Sequence, residues 1–147
     1  MRNALILLAA LGFAGSAMAA DIGLIKVAKG SVQIQRGSSK IPATVGTGLQ
    51  TSDTLVTGAD GSAGITFTDN SLVSVGPNSV FQIDKYSFDT TTYAGEFEGN
   101  LKQGRLAAVS GKMVKQSPDS MKIRTPSAIM GVRGTEFVVQ VDDAKKN

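Results

Sequence analysis

The sequence predicts an all-β fold, and three features of the chain after residue 19 support that prediction. Apolar and polar residues alternate with period two over several short stretches, which is the pattern of strands with one buried face. Turn-forming clusters recur about every 8 to 12 residues, and the 147-residue chain contains 17 glycines. No stretch of about 11 residues or more shows helical periodicity. We therefore expect a single domain of short stacked strands, β-solenoid or roll-like, with a β-sandwich as the alternative.

The first 19 residues have the three-part pattern of a cleavable secretory signal peptide. Residues 1–3 carry one positive charge, residues 4–13 are almost wholly apolar, and Ala17 and Ala19 supply the small residues of a cleavage site. A membrane anchor would need about 20 consecutive apolar residues, and glycines interrupt this run. We therefore expect export to the periplasm, with secretion to the exterior as the alternative.

Length and composition predict one exported domain. Cleavage after residue 19 would leave 128 of 147 residues, enough for one domain and too few for two. We expect this domain to span residues 20–141 and residues 142–147 to form a flexible tail. The sequence has 15 Lys and Arg against 12 Asp and Glu, with no dense basic segment interleaved with aromatics. Nucleic acid is therefore not an expected partner, and we expect no membrane span after signal cleavage.

The turn clusters divide the chain into strands. In the first strand, Val32 and Ile34 alternate with glutamines, and Arg36 continues their face. The segment Asp69-Asn70-Ser71 is a turn, because Asn tolerates the left-handed backbone conformation that such turns require. On the expected strand of residues 81–85, Lys85 is predicted to lie on the same inward face as Phe81 and Ile83. The expected strands are residues 32–36, 55–57, 63–67, 72–75, 81–85, 95–101, 105–110, 121–125 and 135–141.

Five segments, read in order, resemble the FecR domain family. The most specific is Thr125-Pro126-Ser127-Ala128, followed by Val132-Arg133-Gly134-Thr135-Glu136-Phe137. The resemblance implies an all-β periplasmic domain that acts by contacting other proteins. The weaker segments are Gly30-Ser31-Val32 with Arg36, Leu55-Val56-Thr57-Gly58, residues 69–79 with Asn70 in place of the usual Gly, and residues 101–106.

The segment Val132-Arg133-Gly134-Thr135 is the first candidate for a functional site. The guanidinium of Arg133 could bind a carboxylate on a partner, with Glu136 beside it. Alternatively, Arg133 bonds neighbouring carbonyls or pairs with Glu136 to fix the turn into the last strand. Gly134 would then supply a backbone angle that other residues resist. We favour the structural role.

A second group of candidate partner-binding residues is basic. Lys112, Lys115, Lys122 and Arg124 give residues 112–124 a positive charge. Such a region could bind an acidic polymer or partner. A solvated face is the commoner use of charges spaced in this way.

The last strand offers a third possible contact. Residues 137–141 lie near the end of the chain and are mostly apolar. If they form an edge of the sheet, they could accept a strand from a partner. The alternative is that they lie inside the sheet and fill the core.

Enzymatic activity is not expected, because common catalytic side chains are missing. The sequence contains no His and no Cys, which removes the usual general base, thiol nucleophiles and the common zinc ligands. The acids around Asp69 are too sparse for calcium, and we expect no metal or cofactor. Glu96 and Glu98 share a strand face about 7 Å apart, a spacing that glycosidases can use. A lone strand more often exposes such acids to water.

The leading hypothesis is a non-enzymatic, FecR-like interaction module of the cell envelope that binds another envelope protein in signalling or assembly. The alternative is a domain that binds cell-wall or surface polysaccharide, suggested by strand faces rich in Thr, Ser and Asn. Aromatic residues make up 5% of the chain, which leaves few rings to stack on sugars and disfavours the alternative.

Overall fold

The structure, a computed structural model, describes residues 20–134 and 136–142. The predicted signal peptide, Thr135 and all of the predicted tail except Asp142 lie outside the described residues. In the two described ranges, no helix is long and apolar enough to cross a bilayer. The elements are β1 Gly23–Lys29, β2 Val32–Arg36, β3 Ser39–Pro42, β4 Gly48–Leu49, β5 Thr54–Thr57, β6 Ser62–Phe67, β7 Leu72–Val75, β8 Val80–Phe88, β9 Gly95–Val109, α1 Lys112–Gln116, β10 Met121–Arg124, β11 Ile129–Gly131 and β12 Glu136–Val141.

The prediction of an all-β single domain is confirmed. The strands form one curled sheet centred on β9. A first half runs in the order β3-β2-β5-β8-β9-β10-β11, and a second half runs β4-β1-β6-β7-β9-β12. Neighbouring strands are antiparallel except for β9 and β10, which are parallel. One continuous sheet that curls on itself matches the roll-like form of the prediction.

Strand β9 joins the two halves by bending at Gly104. Residues 95–103 pair with β8 in the first half, and residues 104–109 pair with β12 in the second. Gly104 has φ +95°, and a Cβ placed on it would lie 2.5 Å from Ser79 Cα. The bend therefore requires glycine. Two separate strands were predicted here, and that prediction is wrong: the interruption is a bend within one 15-residue strand.

The two halves enclose a shared core. Phe67 of β6, in the second half, packs edge-on against Phe97 of β9 at 4.8 Å between ring centroids. The same ring stacks on Tyr86 of β8 at 5.4 Å. Each fully buried phenylalanine contributes about 2 kcal/mol through removal of apolar surface from water. These contacts hold the curled sheet closed.

The turn at residues 69–71 has the expected chemistry. Asn70 lies at φ 66°, as the sequence predicts. The buried carboxylate of Asp69 accepts hydrogen bonds from Ser71 N at 3.0 Å and Ser71 Oγ at 2.6 Å. The acidic side chain therefore fixes the turn, and it is bonded within the segment itself.

The inward face of β8 differs from the prediction after Ile83. A register shift between Ile83 and Lys85 reverses the alternation. Lys85 consequently points outward, opposite Glu98, while Tyr86 packs on the core. The prediction that Lys85 shares the inward face is therefore wrong, because a β-bulge inserts one residue into the strand.

The first half also contains an ion pair between Arg36 and Asp53, which the sequence did not predict. Arg36 Nε and Nη2 donate to the two carboxylate oxygens of Asp53 at 2.9 and 2.8 Å. Asp53 is 1% exposed and also accepts from Gln50 N. The hydrogen bond to Asp53 raises the pKa of Arg36. Asp53 thus ties the end of β2 to the loop between β4 and β5.

Candidate functional site

The first candidate residues, Arg133 and Glu136, flank the start of β12. Both are exposed, and Arg133 forms an ion pair with Asp119 rather than with Glu136. Gly134 has φ +88°, as the structural interpretation of this segment predicted. Glu136 faces outward from β12, opposite Val109. The pairing of Arg133 to Asp119 connects two surface segments, and the suggested Arg133–Glu136 pair is therefore corrected.

The basic candidate residues do not form a single site. Lys112 and Lys115 lie on α1, whose Met113 is buried. The ammonium of Lys112 lies over the ring of Tyr93, 5.2 Å from its centroid. Lys122 and Arg124 lie instead on the outward face of β10. The region from 112 to 124 is thus split between a helix and a strand.

Glu98 forms ion pairs with two cations of the first half, Arg124 and Lys85. Its side chain is 9% exposed, Arg124 Nε donates to its Oε1, and Lys85 Nζ lies 3.7 Å from its Oε2. The hydrogen bond from Arg124 is the main cause that lowers the pKa of Glu98 below its ordinary value. A glycosidase general acid needs a raised pKa instead. The lowered pKa therefore disfavours Glu98 as the general acid of such a pair.

The lowered pKa of Glu98 predicts a pH-dependent contribution from Arg124. A depressed pKa in the folded state stabilises the protein above the unfolded value of 4.5, and this stabilisation is lost as the pH falls through the folded value. Arg124→Ala should therefore cost about 1 kcal/mol of unfolding free energy near neutral pH, since the pair is partly exposed. Urea denaturation at about pH 7 and about pH 2 would measure the difference.

The control for this measurement is Lys115→Ala, which removes an exposed cation from α1. It should change stability little at either pH. An Arg124→Ala loss of equal size under acidic and neutral conditions would contradict the assignment, because it would show that packing rather than charge is responsible.

The outward face of the first half is mostly polar, although Val56, Val80 and the exposed Ile129 also lie on it. Strand registers place one polar residue of each strand beside the next, from β3 across to β10. Water solvates such a face without help from a partner. The row reads Lys40, Gln35, Thr54, Gln82, Asn100 and Arg124.

The outward face of the second half carries most of the exposed large hydrophobic side chains, and we call it the apolar face. Among the described residues, five of the eight exposed large hydrophobic side chains lie on it. Contiguous exposed apolar surface is uncommon on monomeric soluble proteins and marks sites of interaction. The five are Leu24, Val27, Leu72, Val109 and Val138. The strand registers place these in two rows, Val27-Gly64-Ser74-Ala107-Val138 and Leu24-Thr66-Leu72-Val109-Glu136.

Small residues leave a depression in the centre of the apolar face. Gly64, Ser74 and Ala107 form its floor, and its volume is about 330 Å³. Arg105 lies at its rim, points outward opposite Gln140, and is exposed. Within the part of the chain that the structure describes, Arg105 has no ion-pair partner. The depression therefore combines an apolar floor with one available cation.

The apolar face was missed in the sequence, although the sequence contains its signal. Neighbouring residues of a strand point to opposite faces, so the pair Leu72-Val73 and the run Phe137-Val138-Val139 must place apolar side chains on both. Such continuous runs are typical of strands covered on both faces. In β2, by contrast, Val32 and Ile34 alternate strictly with glutamines. The signal is not confined to the second half, because Leu55-Val56 and Val80-Phe81 of the first half are runs of the same kind.

Comparison with known proteins identifies one family. The family model described as FecR protein matches residues 53–147. Four of the five resembling segments fall inside this match, and the one that begins at Gly30 lies outside it. No curated protein and no solved structure matches the chain significantly. The matched range includes Arg105 and the three apolar-face residues Leu72, Val109 and Val138.

Proposed function

Since the chain belongs to the FecR family, a family of signalling-related envelope domains, we propose that it is a non-enzymatic protein-binding module. It acts in the periplasm after export and binds another envelope protein on its apolar face. The observation that carries this proposal is the concentration of exposed hydrophobic side chains on that one face.

The size of the apolar face favours a transient partner over a permanent one. Five strands spaced about 4.8 Å apart, each contributing about five residues, span roughly 400 Å². A stable interface buries about 800 Å² on each partner. The face is therefore too small for an obligate dimer of two copies. It fits the weaker docking that signalling contacts use.

The chemistry of the depression indicates the character of the partner surface. Its floor fits an apolar side chain, and Arg105 at the rim can donate two parallel hydrogen bonds to a carboxylate. Lys29 also points outward on this side, opposite Ser62. The partner should therefore present an apolar residue with an acidic residue close by.

The polysaccharide alternative receives less support from the described residues. Among those residues, Tyr93 is the aromatic residue with an exposed side chain. Its ring already stacks on Phe88 with an interplanar angle of 4°. Sugar recognition by stacking would need further exposed rings. A protein partner on the apolar face is therefore the better assignment.

Ser74→Glu should abolish partner binding, because it places a charged side chain in the floor of the depression. A photo-crosslinking amino acid at Val109, which is exposed on the apolar face beside the depression, should give one reproducible adduct with another envelope protein in intact cells. We expect Ser74→Glu to reduce that adduct at least about tenfold. Both positions point outward, so the fold should be retained.

Gln33→Glu is the matched control, since Gln33 points outward from a strand of the first half. It should leave the adduct unchanged. An adduct with a second copy of the chain, or one that survives Ser74→Glu, would contradict the proposal.

A further inference from the structure

Among the described residues four strands lie at the ends of the sheet, and three of them carry protection against strand pairing. Natural edges are protected by shortness, by lysine, by proline or by irregularity. β3 contains Lys40 and ends at Pro42, β4 has two residues, and β11 has three and includes Gly131. β12 pairs with β9 on one side. Its six residues include no Lys, Pro or Gly, so this edge is open to another strand.

We propose that β12 accepts an extended segment of the partner as an added strand. This inference rests on the proposed function, because it states how the protein that covers the apolar face is held. Backbone N–H and C=O groups along the free edge of β12 supply the affinity, and side chains at alternate positions supply the specificity.

The inward side chains of β12 show what the added strand must bring. Phe137 and Val141 pack against the core but remain half-buried, whereas Val139 between them is 7% exposed. Apolar side chains at alternate positions of an added strand would complete the burial of Phe137 and Val141. The intervening side chains would lie beside the exposed residues Glu136, Val138 and Gln140 and can be polar. The partner segment therefore has an alternating pattern with period two.

A groove continues the edge at the C-terminal end of β12. Its volume is about 530 Å³, and Lys102 of β9 lies in its lining. A linear segment can occupy both the edge and this groove, whereas the edge strand of a folded second copy reaches the edge alone. The occupant is therefore an extended segment of a different protein. The groove is lined on one side by Val139, Gln140, Val141 and Asp142, and on the other by Thr125, Pro126, Ser127, Ala128 and Met130.

The test uses short peptides selected from a random display library against the mature protein. Each backbone N–H of a selected peptide is replaced in turn by N-methyl, which removes one donor. In an added strand, alternate N–H groups face the neighbouring strand. We expect binding to fall at least about tenfold at every second residue and to change little at the residues between.

Two protein variants test whether the peptide binds to the second half of the sheet, at the edge of β12. Val138→Lys puts a lysine on the free edge and should weaken peptide binding at least about tenfold. Gln35→Lys changes an equally outward residue on β2, in the first half and outside the apolar face, and should leave peptide binding intact.

Several results would overturn strand addition. These are the failure to select any alternating peptide, N-methyl effects without a period of two, and insensitivity to Val138→Lys. A dimer that forms without peptide and is lost in Val138→Lys would identify a second copy as the occupant instead. If strand addition fails while the Val109 adduct still depends on Ser74, docking on the apolar face stands without it.

Discussion

Arg36→Ala should lower the free energy of unfolding by about 3 kcal/mol, one of the two largest effects we expect from a single substitution. The substitution leaves the carboxylate of Asp53 buried, at 1% exposure, without its cation. Gln50 N remains as its backbone donor, but one amide does not replace two charge-assisted bonds. Urea denaturation at neutral pH would measure the loss.

The control is Arg133→Ala, which breaks an ion pair between side chains that are 72% and 76% exposed. Exposed pairs contribute less than about 1 kcal/mol, so this variant should remain close to the parent protein. Equal losses in Arg36→Ala and Arg133→Ala would show that the Arg36–Asp53 pair is solvated in solution. Joint replacement by Arg36→Met and Asp53→Leu should recover part of the stability, since apolar pairs can substitute for buried ion pairs.

Local pattern predicted the strands in which buried and exposed positions alternate strictly. In β2 and β6 the alternation is strict, so Val32 and Ile34, or Ala63 and Ile65, could be assigned to the core from sequence alone. The turn at Asn70 was equally predictable, because its chemistry is local. β1, β3, β4 and β11 were not predicted, since short or bulged strands give little periodic signal. β1 changes register between Ile25 and Val27.

Pairing between distant segments was beyond the reach of the sequence. Arg36 finds Asp53 seventeen residues away, and Arg124 finds Glu98 twenty-six residues away. Residue type alone made Arg124 and Arg133 candidate contact residues, but the fold gives each a carboxylate partner within the chain. Arg105 was not among the predicted partner-binding residues, yet it is the cation that lies beside the apolar depression. The topology decides which charges are available to a partner.

Gly104→Ala should be at least as damaging as the loss of Arg36, because it acts on the bend that joins the two halves. At φ +95° an alanine is strained, which costs about 1–2 kcal/mol. Its Cβ would also lie 2.5 Å from Ser79 Cα, and a backbone atom cannot move aside as a flexible side chain can. Forcing the strands apart adds about 1–3 kcal/mol, so the total is about 2–5 kcal/mol, a range whose middle lies above the loss expected for Arg36→Ala. Urea or thermal denaturation would measure this loss.

Gly134→Ala separates the two causes. Gly134 has a similar φ of +88°, but nothing lies within 4 Å of a Cβ placed there. It should therefore cost the conformational strain of about 1–2 kcal/mol alone. The difference between the two variants is the steric cost of the close approach between β9 and Ser79. If both variants lost the same stability, the close approach would be absent in solution, and the bend of β9 would not fix Ala107 and Val109 in the apolar face.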